Sequence, residues 1–292
     1  MRLAILTSLL ALGCSLGNLL HAQSTISDRP WELTSSHGVW AAFLPDYELG
    51  TAAAGPAFQD DLNNVGYITD LKMVRRFLGT RTSFETNAFY ALAGSSFDGS
   101  VSNISVPDPA TGGANPFAGD RRRLDSHVDH YGFDITLRDT WRTRFGGLSA
   151  GCAFSYMAFD QDFDIDYGTT QLMEEELNTD FRGGKAVFGW DGRLHGRPSN
   201  FDLLIGFYDM DTEYRFIGQA IAGADSQEFS RNATTIETYF TTRCDIRGCQ
   251  VGWKIGAMYI SDMPVIEHTP TQRASINSDD AVTLSGIVEI LL

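Results

Sequence analysis

His130-Tyr131-Gly132-Phe133-Asp134-Ile135-Thr136-Leu137-Arg138 sets Tyr131, Phe133, Ile135 and Leu137 on one side of an extended chain and Gly132, Asp134, Thr136 and Arg138 on the other. Successive side chains of a strand point to opposite faces, so this strict alternation reads as a half-apolar β-strand. The second face is the informative one. Ionised groups in mid-strand do not pack into a dry core without partners, so that face meets water or other polar side chains.

The same period of two recurs along the chain. Leu148, Ala150, Cys152, Phe154 and Tyr156 alternate with Ser149, Gly151, Ala153 and Ser155, and Phe201, Leu203, Ile205 and Phe207 oppose Asp202 and Gly206. Val251, Trp253, Ile255, Ala257 and Tyr259 oppose Gly252, Lys254 and Gly256, and Val282, Leu284, Gly286, Val288 and Ile290 oppose Thr283, Ser285 and Glu289. Weaker versions fall at 66–78, 82–97, 180–194 and 234–244, and a short apolar segment at 38–44 opens the series. Together they predict about ten strands, with eight or twelve as the alternatives.

Connection lengths separate a barrel from a soluble sandwich. Short links near 79–80, 142–147, 195–200 and 245–248 alternate with long ones near 45–64, 98–126, 164–179, 218–233 and 263–280. Short periplasmic turns and longer outer loops produce that order in a membrane barrel. Arg75, Arg76, Arg81, Arg142, Arg144, Arg193, Arg197, Arg243 and Arg247 gather at the short links, while the long ones are mainly acidic. Aromatic residues near strand ends, among them Trp40, Trp141, Trp190 and Tyr259, suit interfacial girdles.

The chain has 292 residues, a net charge of −15, 29 glycines and 12% aromatic residues. That acidity excludes a nucleic-acid partner, which requires a basic patch. Mean hydropathy is −0.14, ordinary for a barrel whose strands are polar on one face. Met1-Arg2, the apolar run Leu3–Leu20 and Leu20-His21-Ala22 form the parts of a secretory signal peptide. The expected organisation is a signal peptide at 1–22, an N-terminal extension at 23–37 and a transmembrane barrel at 38–292. The location expected from these parts is the outer membrane, with its lipid as a partner and the oligomeric state left open.

Across nearly all of its mature length the chain resembles Gram-negative outer-membrane β-barrel proteins, in pattern and topology rather than in a family motif. The resemblance implies a single closed, antiparallel, up-and-down barrel. It also implies a last strand ending in an aromatic residue, whereas Glu289-Ile290-Leu291-Leu292 is apolar without one.

Ten charged residues lie in mid-strand on the faces expected to line the lumen: Asp70, Lys72, Glu85, Asp134, Arg138, Lys185, Asp202, Glu237, Lys254 and Glu289. They either knit a closed polar core or line a narrow pore. The expected function is accordingly a porin-like channel or a structural envelope protein, not an enzyme. Two alternatives stand beside it. Asp125, His127, Asp129 and His130 form a cluster suited to general-base chemistry, and the outer-membrane barrels that are proteases carry Asp and His at the outer rim. The other alternative is an adhesin acting through loops 98–126 and 263–280.

Asp160, Asp162, Asp164 and Asp166 share an extended face, as do Asp209, Asp211 and Glu213, and divalent cations are their candidate ligands. Cys244 and Cys249 flank a short turn on one face, a candidate disulfide. No P-loop, dinucleotide fingerprint, nucleophile elbow or zinc spacing occurs, so no cofactor is expected.

Overall fold

The computed structural model describes residues 31–292 apart from 49–50, 53–54, 57–58, 61–62, 78–79, 100–103, 109–112, 118–121, 168–169, 219–223, 247–248 and 269–273. The expected signal peptide and its cleavage site lie outside the described residues.

Ten long strands form the wall: β1 Trp31–Phe43, β2 Asn63–Arg76, β3 Thr82–Gly99, β4 Arg122–Thr143, β5 Gly146–Tyr167, β6 Thr170–Leu194, β7 Arg197–Gly218, β8 Ala224–Ile246, β9 Cys249–His268 and β10 Ala274–Leu291. Each pairs antiparallel with its neighbours in sequence. β1 pairs with β10 from Thr34↔Leu291 to Phe43↔Val282, which closes the ring. Closure removes the open strand edges that would otherwise recruit other chains.

Turn chemistry fits the short links. Leu194 pairs with Arg197, and the two residues between them, His195 and Gly196, both have positive φ, the type I′ geometry that suits the twist of a hairpin. Thr143 pairs with Gly146 across another two-residue turn.

β1 begins at Trp31, well before the expected start at Gly38, because Ser35 and His37 occupy outward positions and break the apolar alternation there. Three expected outer loops are largely strand: β5 runs to Tyr167 and β6 starts at Thr170, β8 starts at Ala224, and β9 and β10 extend to His268 and from Ala274. The first two outer loops carry short ladders of their own, at 47–48 with 59–60, 51–52 with 55–56, and 104–108 with 113–117.

β6 has 25 residues. At roughly 3.3 Å per residue and a tilt of about 40°, such a strand rises about 60 Å, more than twice the apolar band of about 25 Å that a bilayer requires. The band itself is plain on the outer surface. Phe133, Ile135, Leu137 and Trp141 on β4, Leu148 and Phe154 on β5, Phe201 and Phe207 on β7, Trp253 and Ile255 on β9 and Leu284 and Ile290 on β10 are all exposed. Arg75 stacks over Trp31 at 4.9 Å and Arg144 over Phe145 at 4.5 Å, marking the edge near the short turns.

Beyond the band the strands change character. On β5 the outward side chains become Asp160, Asp162, Asp164 and Asp166, while Met157, Phe159, Phe163 and Ile165 are buried inside. β7 does the same with Asp209, Asp211, Glu213 and Arg215 outward and Tyr208, Met210, Tyr214 and Phe216 inward. The wall is thus apolar outside in the membrane and apolar inside above it.

Replacing Ile135 with Arg, in mid-band, is expected to cost about 2–4 kcal/mol. Denaturant unfolding in lipid vesicles measures it; a cost near zero would remove this stretch from the membrane.

Candidate functional site

All ten charged residues expected in the lumen line one interior cavity of about 140 Å³. Their pairing runs across the barrel. Arg138 on β4 reaches Asp202 on β7 at 2.6 Å and Glu85 on β3 at 3.3 Å, and Lys72 on β2 meets Glu85 at 2.9 Å. Lys185 on β6 lies between Asp134 on β4, at 3.0 Å, and Glu237 on β8, at 2.9 Å. Lys254 on β9 meets Asp70 on β2 at 3.2 Å. Arg243 and Glu32, which the alternation did not single out, extend the network at the short-turn end: Arg243 lies 3.4 Å from Glu32 and 3.6 Å from Glu289.

Most of these links join strands that are not neighbours, so they brace the lumen instead of decorating its wall. The inward glycines make room for them. A Cβ on Gly189 would fall within 3 Å of Ser149 Oγ, Asp202 Oδ1 and Arg138 Nη1, and one on Gly256 would strike the Tyr239 ring, over which Lys254 lies at 4.8 Å. Volume saved by glycine is refilled by these side chains.

Toward the short turns the cavity widens into a vestibule of about 900 Å³, lined by Arg76, Arg81, Arg142 and Asp191 besides the shared ion pairs. Toward the outside it ends. His130 stacks on Phe159 at 3.8 Å and on Trp40 at 5.6 Å, and its Nδ1 lies 3.0 Å from the Ala158 carbonyl, which accepts that N–H. Phe181 meets Phe159 edge-on, and Trp40, Phe159 and Phe181 are each at most 2% exposed.

A second apolar layer lies above. Tyr47, from the first outer loop, stacks on Phe163 at 4.6 Å and is buried with Leu124, Ile165, Met173, Leu177 and Phe216. Glu175 is fully buried there and accepts hydrogen bonds from Tyr47 and from Tyr214, the latter at 2.6 Å. Burial, then the neighbouring Glu175 carboxylate, pushes both phenols upward, so they stay protonated donors. Neither layer was read from the sequence. The signal was available as a shift of the apolar residues from even to odd positions at Tyr156-Met157.

Several sequence expectations are corrected. Asp125, His127, Asp129 and His130 do not form one site: alternation puts His130 inside, against Phe159, while the other three face outward. His127 instead stands opposite Asp162 of β5. Asp160, Asp162, Asp164 and Asp166 line up along β5 at every second residue, about 6.6 Å apart, too far for one ion with ligands at about 2.3–2.6 Å. Among the described residues no three His, Cys, Asp or Glu side chains converge as metal ligands would.

Cys244 pairs with Val251 and its thiol lies 3.6 Å from the Val251 carbonyl, while Ile246 pairs with Cys249. By register Cys249 stands opposite Ile246 and not opposite Cys244, and its side chain lies outside the described residues. Cys244 is a free thiol.

The outward face above the band is an acidic wall. Across β4, β5 and β6 the register aligns Asp125, Asp164 and Glu174, then His127, Asp162 and Glu176. Partial burial, followed by repulsion from Asp164, Glu176 and Asp162, raises the Glu174 carboxyl.

No family model matches the sequence, and no curated protein matches it. Among solved structures, the outer membrane protease OmpT of Escherichia coli superposes with a TM-score of 0.53 at 8% identity, covering 92% of this chain and 99% of that one. The fold is that of an outer-membrane β-barrel. The TodX deltaS2S3 monoaromatic hydrocarbon channel (TM-score 0.29, 9% identity, 91% of each chain) and a Pseudomonas aeruginosa FadL homologue (0.24, 8%, 89% of this chain and 88% of that) are too distant to carry an argument.

Lys185→Met in this barrel strands two buried carboxylates, so the unfolding free energy is expected to fall by about 3–5 kcal/mol. Adding Asp134→Asn and Glu237→Gln should recover much of it, as read from the denaturation midpoint. On the outer wall, a carboxyl with a raised folded pKa weakens the fold above that pKa and costs nothing below its unfolded value. Glu174→Gln should therefore be the more heat-resistant form at neutral pH, and its advantage should vanish on acidification through the carboxylate range.

Proposed function

We propose that the protein is a closed, non-conducting barrel of the outer membrane, exported through its leader at 1–22, that serves the envelope as a structural and surface-presenting element. One observation carries the reading. The outer half of the lumen is filled by two apolar layers, around Phe159 and around Phe163, above a polar core braced by cross-lumen ion pairs. An ion entering from the vestibule meets aromatic side chains at full burial, and hydrated ions do not cross a dry apolar plug. A porin-like pore is the less favoured reading for that reason. Outside the membrane the protein offers an acidic wall and two ladder-bearing loops, and these are the surfaces suited to meet partners.

The likeness to a protease brings a hydrolase reading with it. That likeness extends to fold alone, at 8% identity. His127 has carboxylate neighbours, but separation from His130 removes the second histidine of the expected cluster.

In a planar bilayer, properly folded protein is expected to give no steady conductance. Stable ohmic steps from the unaltered chain would overturn the closed-barrel reading. Wild type and His127→Ala are expected to release peptide fragments at the same background rate; a loss of activity confined to the variant would revive the hydrolase.

A further inference from the structure

His37 faces the lipid in the middle of the apolar band. Outward positions on β1 run from Trp31 through Leu33, Ser35, His37, Val39 and Ala41 to Phe43, and the inward neighbours Thr34, Ser36 and Trp40 are buried in the lumen. Val39 and Phe43 are exposed on the outer surface, as are Val65 and Tyr67 on β2 beside them. Ionisable side chains within a membrane normally face a protein interior or another polar group. This one does neither on its open side.

His37 belongs to a small polar cluster. Its Nε2 lies 3.2 Å from Ser35 Oγ, and its Nδ1 lies 2.5 Å from Tyr67 Oη and 3.2 Å from Thr69 Oγ1. Thr69 donates its own hydroxyl proton to the Ser36 carbonyl at 3.1 Å. Counting donors and acceptors leaves a remainder. With the proton on Nδ1, that N–H serves Thr69 or Tyr67, Ser35 donates to Nε2, and the Tyr67 hydroxyl proton has no acceptor. With the proton on Nε2, Tyr67 donates to Nδ1, and the Ser35 hydroxyl proton is left over. An imidazolium leaves both. Each tautomer thus aims one hydroxyl donor at hydrocarbon, while oxygen lone pairs on Ser35 and Tyr67 remain open to a second donor. An unmatched donor is costly where neither water nor lipid chain accepts a hydrogen bond.

We propose that the β10–β1–β2 wall is the interface of a homodimer, with the hydroxyl left over in one copy donating to the Ser35 or Tyr67 oxygen of the other. A second copy fits better than any lipid for two reasons. Under a two-fold axis along the membrane normal, identical residues lie at identical depth, so each cluster meets its own complement. Lipid oxygens lie near the interfaces and not in mid-band. The surface also permits close approach: Gly286 of β10, which pairs with Val39, has nothing within 4 Å of where a Cβ would stand, and small residues let membrane segments pack closely. The Ser35–His37 spacing resembles a base-activated nucleophile, but β1 is paired on both sides, so its backbone N–H groups are committed and no oxyanion site adjoins Ser35.

Sedimentation equilibrium in density-matched detergent, with resonance energy transfer between labelled copies in phosphatidylcholine vesicles, tests this. Wild type is expected to dimerise, and His37→Leu and the double variant Ser35→Ala with Tyr67→Phe to associate about tenfold or more weakly. Phe207→Leu, on the far β7 wall, should dimerise like wild type. The heat-dependent SDS mobility of each variant reports that the barrel has closed; if His37→Leu does not fold, the hydroxyl variant decides, since it keeps the imidazole. A wild type that stays monomeric in vesicles, or folded variants that dimerise as tightly as wild type, would overturn the proposal.

Discussion

Every long strand of this barrel passes from hydrocarbon into water, and in all but β9, which carries a bulge between Ile260 and Met263, the inward positions keep one parity through the changeover. The face that must be apolar does change. Inside the bilayer the outward positions meet lipid, and the lumen can be polar; above it, the outward positions meet water and the lumen becomes the only place for apolar side chains. A strand satisfies both demands by moving its apolar residues one position along. β5 does so at Tyr156-Met157 and β7 at Phe207-Tyr208. The lower half is an inside-out membrane barrel and the upper half an ordinary β-barrel with an apolar core, made of the same strands, and the β5–β6 register runs unbroken through the changeover and shifts only at Ile165/Asp166, high in the upper half.

That shift accounts for the closed lumen. Above the band, inward positions must exclude water, so the interior fills with Trp40, Phe159, Phe181, Phe163 and Phe216. Within the band nothing compels apolar filling, and the lumen carries ions of both signs. A buried ion pair is weak evidence for stability, since desolvation offsets much of the attraction. Its stronger contribution here is geometric. Lys185 binds partners on β4 and β8, and Arg138 joins β3 to β7, so the bridges hold opposite walls at fixed separation. Glu175 does comparable work higher up, where Tyr47 and Tyr214 converge on its two oxygens and tie the first outer loop into the core.

Much of this was legible in one sequence because alternation survives wherever a strand has two unlike faces. The strand count and the ten charges that line the cavity follow from parity, while closure follows from the alternation of short and long connections and from the resemblance. The errors have physical causes too. His130 was grouped with His127 by proximity in sequence, although odd spacing always splits a strand's side chains between faces. The acidic stretches were assigned to loops because charge on the outward face contradicts a membrane strand; a strand that has left the membrane carries charge there without contradiction. Ser35 and His37 interrupt the apolar face of β1, so alternation alone starts that strand at Gly38. Cross-lumen pairing, by contrast, has no sequence signal, since it depends on which walls the ring brings opposite each other.

The interruption in β1 is informative because it lies in mid-band, whereas Asp139, between Leu137 and Trp141 on the outward face of β4, lies close to a short turn. Hydrocarbon tolerates lone threonines such as Thr238, which is half-buried on β8 and able to bond its own strand. An imidazole tied to three hydroxyls is different, since its hydrogen-bond count cannot close within the cluster. If Ser35 and His37 served only the monomer, an apolar pair would satisfy the bilayer better and cost nothing in the ladder. Their presence on the wall where the first and last strands meet places the demand for a partner at the seam of the barrel, the side opposite the acidic wall of β4 to β7. A dimer joined there would leave the acidic walls of β4 to β7 facing outward in both copies, which separates much of the charge of two copies of a chain with a net charge of −15.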